Sequence, residues 1–417
     1  MRRRVLGMVL AGGKGTRLYP LTRDRAKPAV PFGGKYRIID WVLSNFMNSG
    51  IYSIYVLTQF KSQSLTEHLQ RGWGFVSMLK DHFVIPVPAQ MRTGEFWYRG
   101  TADAIMQNLN LIRESRPHLI AIFGGDHIYR MDISQMVSFH NDKDADVTIA
   151  GISVPIAEAS AFGIMRVGED GRILEFEEKP EKPSPMPDDP TRSLASMGNY
   201  VFSYRALVDA LEADAADENS SHDFGKDVLP RLLAQGSNLY CYPFEKNKIP
   251  GQEGANTYWR DVGTIEAFYE ATLDLRDVVP RFNLYNRQWP IGTQMRDLPP
   301  AKFVHDEEGR RGQAIQSMVA EGTIISGATV RGSVVGRNVR VNSYSELDDC
   351  IVFDNAEIGR NVKLRGVIID KNVKVPDGEV IGFDRAQDER RFFVSGSGLV
   401  VIPKQPFFEG RVGAVEI

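Results

Sequence analysis

The sequence predicts an α/β domain with a mostly parallel sheet flanked by helices, followed by a parallel β-helix. Three observations carry that expectation. Through residue 275, apolar runs of strand length alternate with helical patterns; beyond residue 295, aliphatic residues recur every five or six positions. The chain has 417 residues, more than one hydrophobic core usually serves.

In the first part, residues 5–10, 54–57, 119–123 and 147–152 are continuous apolar runs, the pattern of strands covered on both faces. Residues 38–48, 64–70, 102–112 and 133–140 carry the spacing of amphipathic helices. Alternation of the two argues for a parallel sheet with helical crossovers. Gly163–Val167 and Ile173–Glu178 read as a hairpin, and 179–192, with five prolines, as an ordered loop. Residues 1–275 are therefore expected to form the first domain, 276–294 a linker and 295–417 the second domain. In the second domain Val335, Val341, Leu347, Val352, Ile358, Leu364, Ile369, Val375 and Ile381 mark the period, with Gly332, Gly336, Asn338, Gly359 and Asn361 near the corners. Such a period fits neither a helix nor a hairpin strand, but it fits a coil with three short faces. A sandwich of short strands is the alternative reading.

Composition excludes several function classes. With 50 Lys plus Arg against 53 Asp plus Glu, the net charge is −3, which gives no support to a nucleic-acid binder. The two cysteines, Cys241 and Cys350, have no partners at metal-ligand spacing, so neither a zinc site nor a disulfide framework is expected. The basic and apolar start ends at Gly12-Gly13-Lys14, too short for export or a membrane span. A cytoplasmic protein is expected.

The first motif, Leu10-Ala11-Gly12-Gly13-Lys14-Gly15-Thr16-Arg17-Leu18, follows the first strand. Its glycines let backbone N–H groups approach a phosphate, and Lys14 and Arg17 add positive charge. A P-loop is excluded because Met8 stands where its first glycine belongs, and a dinucleotide fingerprint because Leu18 replaces its third. By itself the motif is also compatible with a plain tight turn. A second segment centres on Asp126 in Phe123-Gly124-Gly125-Asp126-His127, at the carboxyl end of an apolar run, where open α/β sheets bind ligands. A lone aspartate there would read as a cap or a solvated turn. Asp261, in Tyr258-Trp259-Arg260-Asp261-Val262-Gly263-Thr264, supplies a second carboxylate, and two converging on one site can hold Mg²⁺.

The glycine-rich run, continued by Arg25-Ala26-Lys27-Pro28-Ala29-Val30-Pro31, resembles the signature of the nucleotide-diphosphate-sugar pyrophosphorylases, and is closest to their ADP-glucose branch. The likeness extends along nearly the whole chain. It implies a Rossmann-like domain of the GT-A type and a left-handed β-helix. It further implies that ATP is wrapped by Leu10, Ala11, Gly12, Gly13, Lys14, Gly15 and Thr16, with Arg17 and Lys27 on the leaving pyrophosphate and Mg²⁺ on Asp126 and Asp261. In Trp97-Tyr98-Arg99-Gly100-Thr101, Tyr98 and Gly100 would lie along the nucleotide, and Thr101 suits a helix N-cap. Trp97 and Tyr98 are equally compatible with core packing. Glu178-Lys179-Pro180 resembles the motif whose lysine binds the phosphate of glucose 1-phosphate; Glu178, Ser196 and Asp223 would bond sugar hydroxyls. His222 receives no role.

The implied reaction is attack of a glucose 1-phosphate oxygen on the α-phosphorus of ATP. The nucleophile is already an anion, so cations and glycines suffice and no general base is required. Three rivals are a relative using another sugar or nucleotide, a non-catalytic regulatory subunit, and a β-helix acyltransferase. The motifs around Asp261 and Asp223 argue against the first, and the intact Arg17, Lys27, Asp126, Lys179 and Asp261 against the second. The third lacks a histidine beyond His305. Family resemblance also implies a homotetramer and anionic metabolite effectors bound by Arg25, Arg37 and Lys404; Arg2, Arg3 and Arg4, at the start of the chain, are further cations for such a site.

Overall fold

The structure, a computed structural model, describes residues 3–91, 96–254 and 257–404. Arg2 and the segment 405–417, the latter part of the expected second domain, lie outside the described residues. Val5–Ala11 is the spine of the main sheet, pairing in parallel with Leu119–Gly124 on one side and Ser53–Thr58 on the other. Ser53–Thr58 pairs in parallel with Phe83–Pro88, while Arg192–Ser203 runs antiparallel beside Leu119–Gly124. Gly163–Val167 and Ile173–Glu178 form the antiparallel hairpin beyond it. The parallel strands all end on one side, so Ala11, Thr58 and Gly124 open a crevice at the sheet's carboxyl edge.

Helices cover both faces, with one departure from the sequence pattern. Residues 102–112 are not one helix but two, Thr101–Met106 and Leu109–Ser115. The side chain of Asn108 donates to the Ala104 carbonyl at 2.8 Å, taking the acceptor its own backbone would use in an uninterrupted helix. Thr101 is not the N-cap either; Gly100 holds that position, and the threonine hydroxyl points elsewhere.

The second domain is a left-handed parallel β-helix of three parallel sheets. All nine periodic aliphatic residues fall on strands and are at most 2% exposed. Stacking is by coil: Val335 pairs with Val352, and Val352 with Ile369. At one corner Asn338, Asn355 and Asn372 all take left-handed backbone, which asparagine tolerates, and their side-chain amides bond in a ladder at 3.1 and 3.0 Å.

The two domains share a core. Leu18, Val30, Phe32 and Trp41 pack with Phe268, and the same cluster takes in Val334, Ile351, Phe353 and Ile368 of the β-helix. Across this interface Arg25 donates to both oxygens of Asp370 at 2.8 and 2.9 Å, with side chains only 4% and 3% exposed. Asp370→Ala would leave Arg25 charged and buried without its partner. It is expected to cost about 3–5 kcal/mol, read as a lowered urea midpoint; an unchanged midpoint would remove this pair from the interface energetics.

Candidate active site

A cleft of about 620 Å³ lies at the carboxyl edge of the sheet. One wall is the glycine-rich loop. Gly15 is left-handed, φ 61°, and its α-carbon packs so closely on Lys27 that a Cβ would sit 2.9 Å from the lysine Cβ. The turn thereby lets Lys27 rise beneath the loop on the short helical turn Lys27–Ala29. Leu10, Ala11, Gly12, Gly13, Lys14, Gly15 and Arg17 all line the cleft. Thr16 is not among the lining residues; it is exposed at the start of the turn Thr16–Leu18.

The floor is made by two carboxylates that are far apart in the chain. Asp126 follows the strand Leu119–Gly124 after one residue, Gly125, and Asp261 ends Trp259–Asp261. Those residues converge because Trp259–Asp261 pairs antiparallel with His127–Tyr129, placing Asp261 opposite His127. Lys27 Nζ bridges them, 3.1 Å from Asp126 Oδ2 and 2.8 Å from Asp261 Oδ1. Arg17 stands 3.7 Å from the other Asp261 oxygen. Burial alone would push the Lys27 ammonium down, but Asp126 and Asp261 more than offset it and raise its pKa. Asp126 keeps 37% of its side-chain surface open to the cleft. Burial is the largest single influence and pushes its carboxyl up, but Lys27, then His127, and the hydrogen bonds together outweigh it and hold it well below the usual carboxylate range.

Asp126, His127 and Asp261 bring ligand atoms within 4.8 Å of one another, a grouping able to hold a metal ion. The residues fit such an ion: two carboxylates already converge on one cationic group, the Lys27 ammonium. Asp132 belongs elsewhere; its carboxylate caps the helix Ile133–Asp142 by accepting from Ser134 N–H at 3.0 Å.

The opposite wall carries the remaining residues. Glu178 is tucked between two glycines: a Cβ on Gly163 would lie 2.9 Å from its Oε2, and one on Gly225 would overlap that oxygen. Lys179 is 61% exposed to the cleft, 3.2 Å from Glu178 Oε1, and held at φ 50°. A left-handed lysine is strained, and such strain concentrates at functional sites. Ser196 precedes a bulge: pairing with Val147–Pro155 slips between Ser196 and Tyr200, around left-handed Gly198. Ser196 and Tyr200 consequently both line the cleft. Tyr98 lines it too, with its hydroxyl accepting from Asn108 at 2.9 Å. Asp223 accepts from Gly225 and Lys226 N–H through one oxygen and from the Thr101 hydroxyl through the other.

Sequence reasoning missed several lining residues. Gln59, Phe162 and Trp259 face the cleft; Phe162 and His127 both pack on the Trp259 ring, at 5.3 and 5.0 Å between centroids. Trp259 stood in the Asp261 motif and was overlooked because a tryptophan there also reads as core. His222, left without a role, is buried and bonded to Asp214 at 2.8 Å.

A cationic cluster outside the cleft lies at the domain interface. Arg25 Nη1 is buried without a hydrogen-bond partner among the described residues. Arg37 donates to Ser64, and its pKa is lowered to about 10, first by burial, with Arg25 also contributing. Lys371, which the sequence did not single out, lies within electrostatic reach of both arginines, and burial and then Arg37 depress its pKa to about 7. Lys404 instead lies exposed just past the strand Val400–Ile402.

Two family models match separate parts of the chain. Residues 6–278 match the nucleotidyl transferase family and 299–402 the GlmU-like, C-terminal hexapeptide family. A glucose-1-phosphate adenylyltransferase of Thermus thermophilus is 58% identical over 405 residues, covering 96% of this chain and 98% of its own. Those of Deinococcus radiodurans and Corynebacterium jeikeium are 54% and 53% identical, covering 97% of this chain and 99% and 98% of their own. Among the described residues no helix is long and apolar enough to cross a membrane.

Proposed function

Because the chain belongs to the nucleotidyl transferase family, among its glucose-1-phosphate adenylyltransferases, we propose that this cleft joins glucose 1-phosphate to the adenylyl group of ATP, releasing pyrophosphate. The observation that carries the reading is the Lys27 bridge between Asp126 and Asp261 beneath a glycine-rich loop, facing Glu178 and Lys179 across the cleft. The loop amides and Lys14 cradle the triphosphate. Arg17 and Lys27 take up the charge that develops on the departing pyrophosphate. Lys179 fixes the incoming phosphate, whose oxygen attacks without a base, and Glu178, Ser196 and Asp223 orient the sugar. Asp126 and Asp261 would hold Mg²⁺, which supplies charge neutralisation at the triphosphate. The test crosses each nucleoside triphosphate with each sugar 1-phosphate and measures pyrophosphate release with Mg²⁺ and with a chelator. Turnover of ATP and glucose 1-phosphate below that of another pair would overturn the assignment.

The same reading extends to control by anionic metabolites at Arg25, Arg37 and Lys371, in the cytoplasm, by a homotetramer. A buried guanidinium nitrogen without a partner among the described residues, near a lysine whose pKa is depressed to about 7, supports an anion site. Lysine with a depressed pKa gains a proton when an anion binds, so affinity is highest below the free pKa and falls as pH rises through about 7. Titration calorimetry with fructose 1,6-bisphosphate is expected to register proton uptake, abolished by Lys371→Met. Affinity that is flat from about pH 6 to about 8.5 would discard the site. Light scattering tests the tetramer; Phe75 and Leu79, each 64% exposed, offer apolar surface for assembly.

A further inference from the structure

Besides sharing one sheet, the two walls of the cleft are fastened to each other at the start of one helix. On the nucleotide side the helix Thr101–Met106 begins at Gly100; on the sugar side a loop at 221–224 leads into the turn Phe224–Val228. Ala102 and Asp103 N–H groups both donate to the His222 carbonyl, at 2.9 and 3.3 Å. A Cβ on Gly100 would overlap that carbonyl, so glycine is required there by close approach, its backbone being extended. The Thr101 hydroxyl completes the contact: it lies 3.0 Å from Asp223 Oδ2 and 2.9 Å from Phe224 N. An N–H can only donate, so the hydroxyl accepts from Phe224 and must give its own proton to Asp223.

The fastening continues to the sugar phosphate residues. Asp223 Oδ1 holds the amides of Gly225 and Lys226, and Gly225 is packed against the Glu178 carboxylate. The loop's far side is anchored independently. His222 is buried at φ 56° and bonded to Asp214, while the Asp223 amide and the Ser221 hydroxyl both donate to Asp227, at 3.0 and 2.6 Å. Thr101 is thus the only side chain among the described residues that bonds both its neighbouring loop's backbone and the carboxylate facing the sugar pocket from the nucleotide wall.

We propose that Thr101 is a positioning residue that couples the two substrate subsites: its hydroxyl clasps the Asp223 loop to the helix beside the nucleotide. The inference rests on the assignment of the two walls to ATP and glucose 1-phosphate. Each ligand needs its own wall in place, and through the clasp the first to bind orders both. The second ligand then meets an ordered wall and binds more tightly, and the effect is reciprocal.

Calorimetry with α,β-methylene-ATP, which cannot react at the α-phosphorus, tests this in the presence of Mg²⁺. Its affinity is measured alone and in saturating glucose 1-phosphate, and the reverse titration is run as well. In the native protein each ligand is expected to tighten the other roughly fivefold or more. Thr101→Val, which loses both bonds at nearly constant shape, should bring that factor to about one, and Thr101→Ser should restore it. Urea unfolding of the variants establishes that they are folded, and Thr101→Ala serves if the valine variant is not. A factor retained in Thr101→Val, or absent from the native protein, overturns the proposal. Failure of the native protein to bind either ligand would instead overturn the assignment of the cleft.

Discussion

Asp126→Asn is expected to lower kcat by roughly 10²–10³-fold, the loss typical of one electrostatic contact made at developing charge. The substitution keeps the side chain's shape, and the Lys27 ammonium keeps its 2.8 Å bond to Asp261, so the cleft should remain built. What it removes is one of two negative charges that converge on the cationic position of the site. Binding of ATP should weaken far less than turnover, because on the proposed reading the glycine-rich loop and Lys14 hold the nucleotide independently of Asp126. Acid titration of Asp126 does not mimic the mutation near neutrality. Its carboxyl is held well below the usual range, so its contribution is present above that range and disappears only as pH falls through the depressed value. Steady-state kinetics with both substrates varied will decide the matter. Near-normal turnover by Asp126→Asn would move the reacting centre elsewhere.

The second large effect separates the substrates. Lys179→Ala is expected to raise the KM for glucose 1-phosphate by about 10–100-fold, the worth of a hydrogen bond to a charged group, and to leave the KM for ATP nearly unchanged. Alanine is the right replacement on backbone grounds. At φ 50° it carries the same left-handed strain as lysine, whereas glycine would relieve it and alter loop freedom as well. Loss of the ammonium also frees Glu178 Oε1 from its 3.2 Å partner, which adds repulsion toward an incoming phosphate. Equal rises in both KM values would remove Lys179 from the sugar phosphate subsite, and a fall in kcat alone would give it a role confined to the transition state.

Much of the architecture was legible because it is written in local periods. Nine aliphatic residues at a regular spacing specified the coils of the β-helix, since each must point inward for its coil to bury anything. Apolar runs specified the central strands for the same reason. The glycine-rich loop was legible because only glycine accepts the backbone at Gly15 and the approach of Lys27 behind it. Where local rules competed, the reading failed: helix periodicity ran through 102–112, and only the side chain of Asn108, reaching its own upstream carbonyl, ends the first helix.

By itself the sequence determined which residues carry charge, which turns need glycine and which positions face a core, because burial period and backbone strain are properties of neighbouring residues. Only the tertiary structure decided which distant groups meet. Asp261 reaches Asp126 through a short antiparallel ribbon, Lys27 rises between them from a turn 99 positions before Asp126 and 234 before Asp261, and Arg25 finds Asp370 across 345 positions. Lys371 comes under the influence of Arg37 and Arg25 for the same reason. Electrostatic partners are chosen by distance and desolvation in the folded chain, and neither quantity exists until the chain has folded.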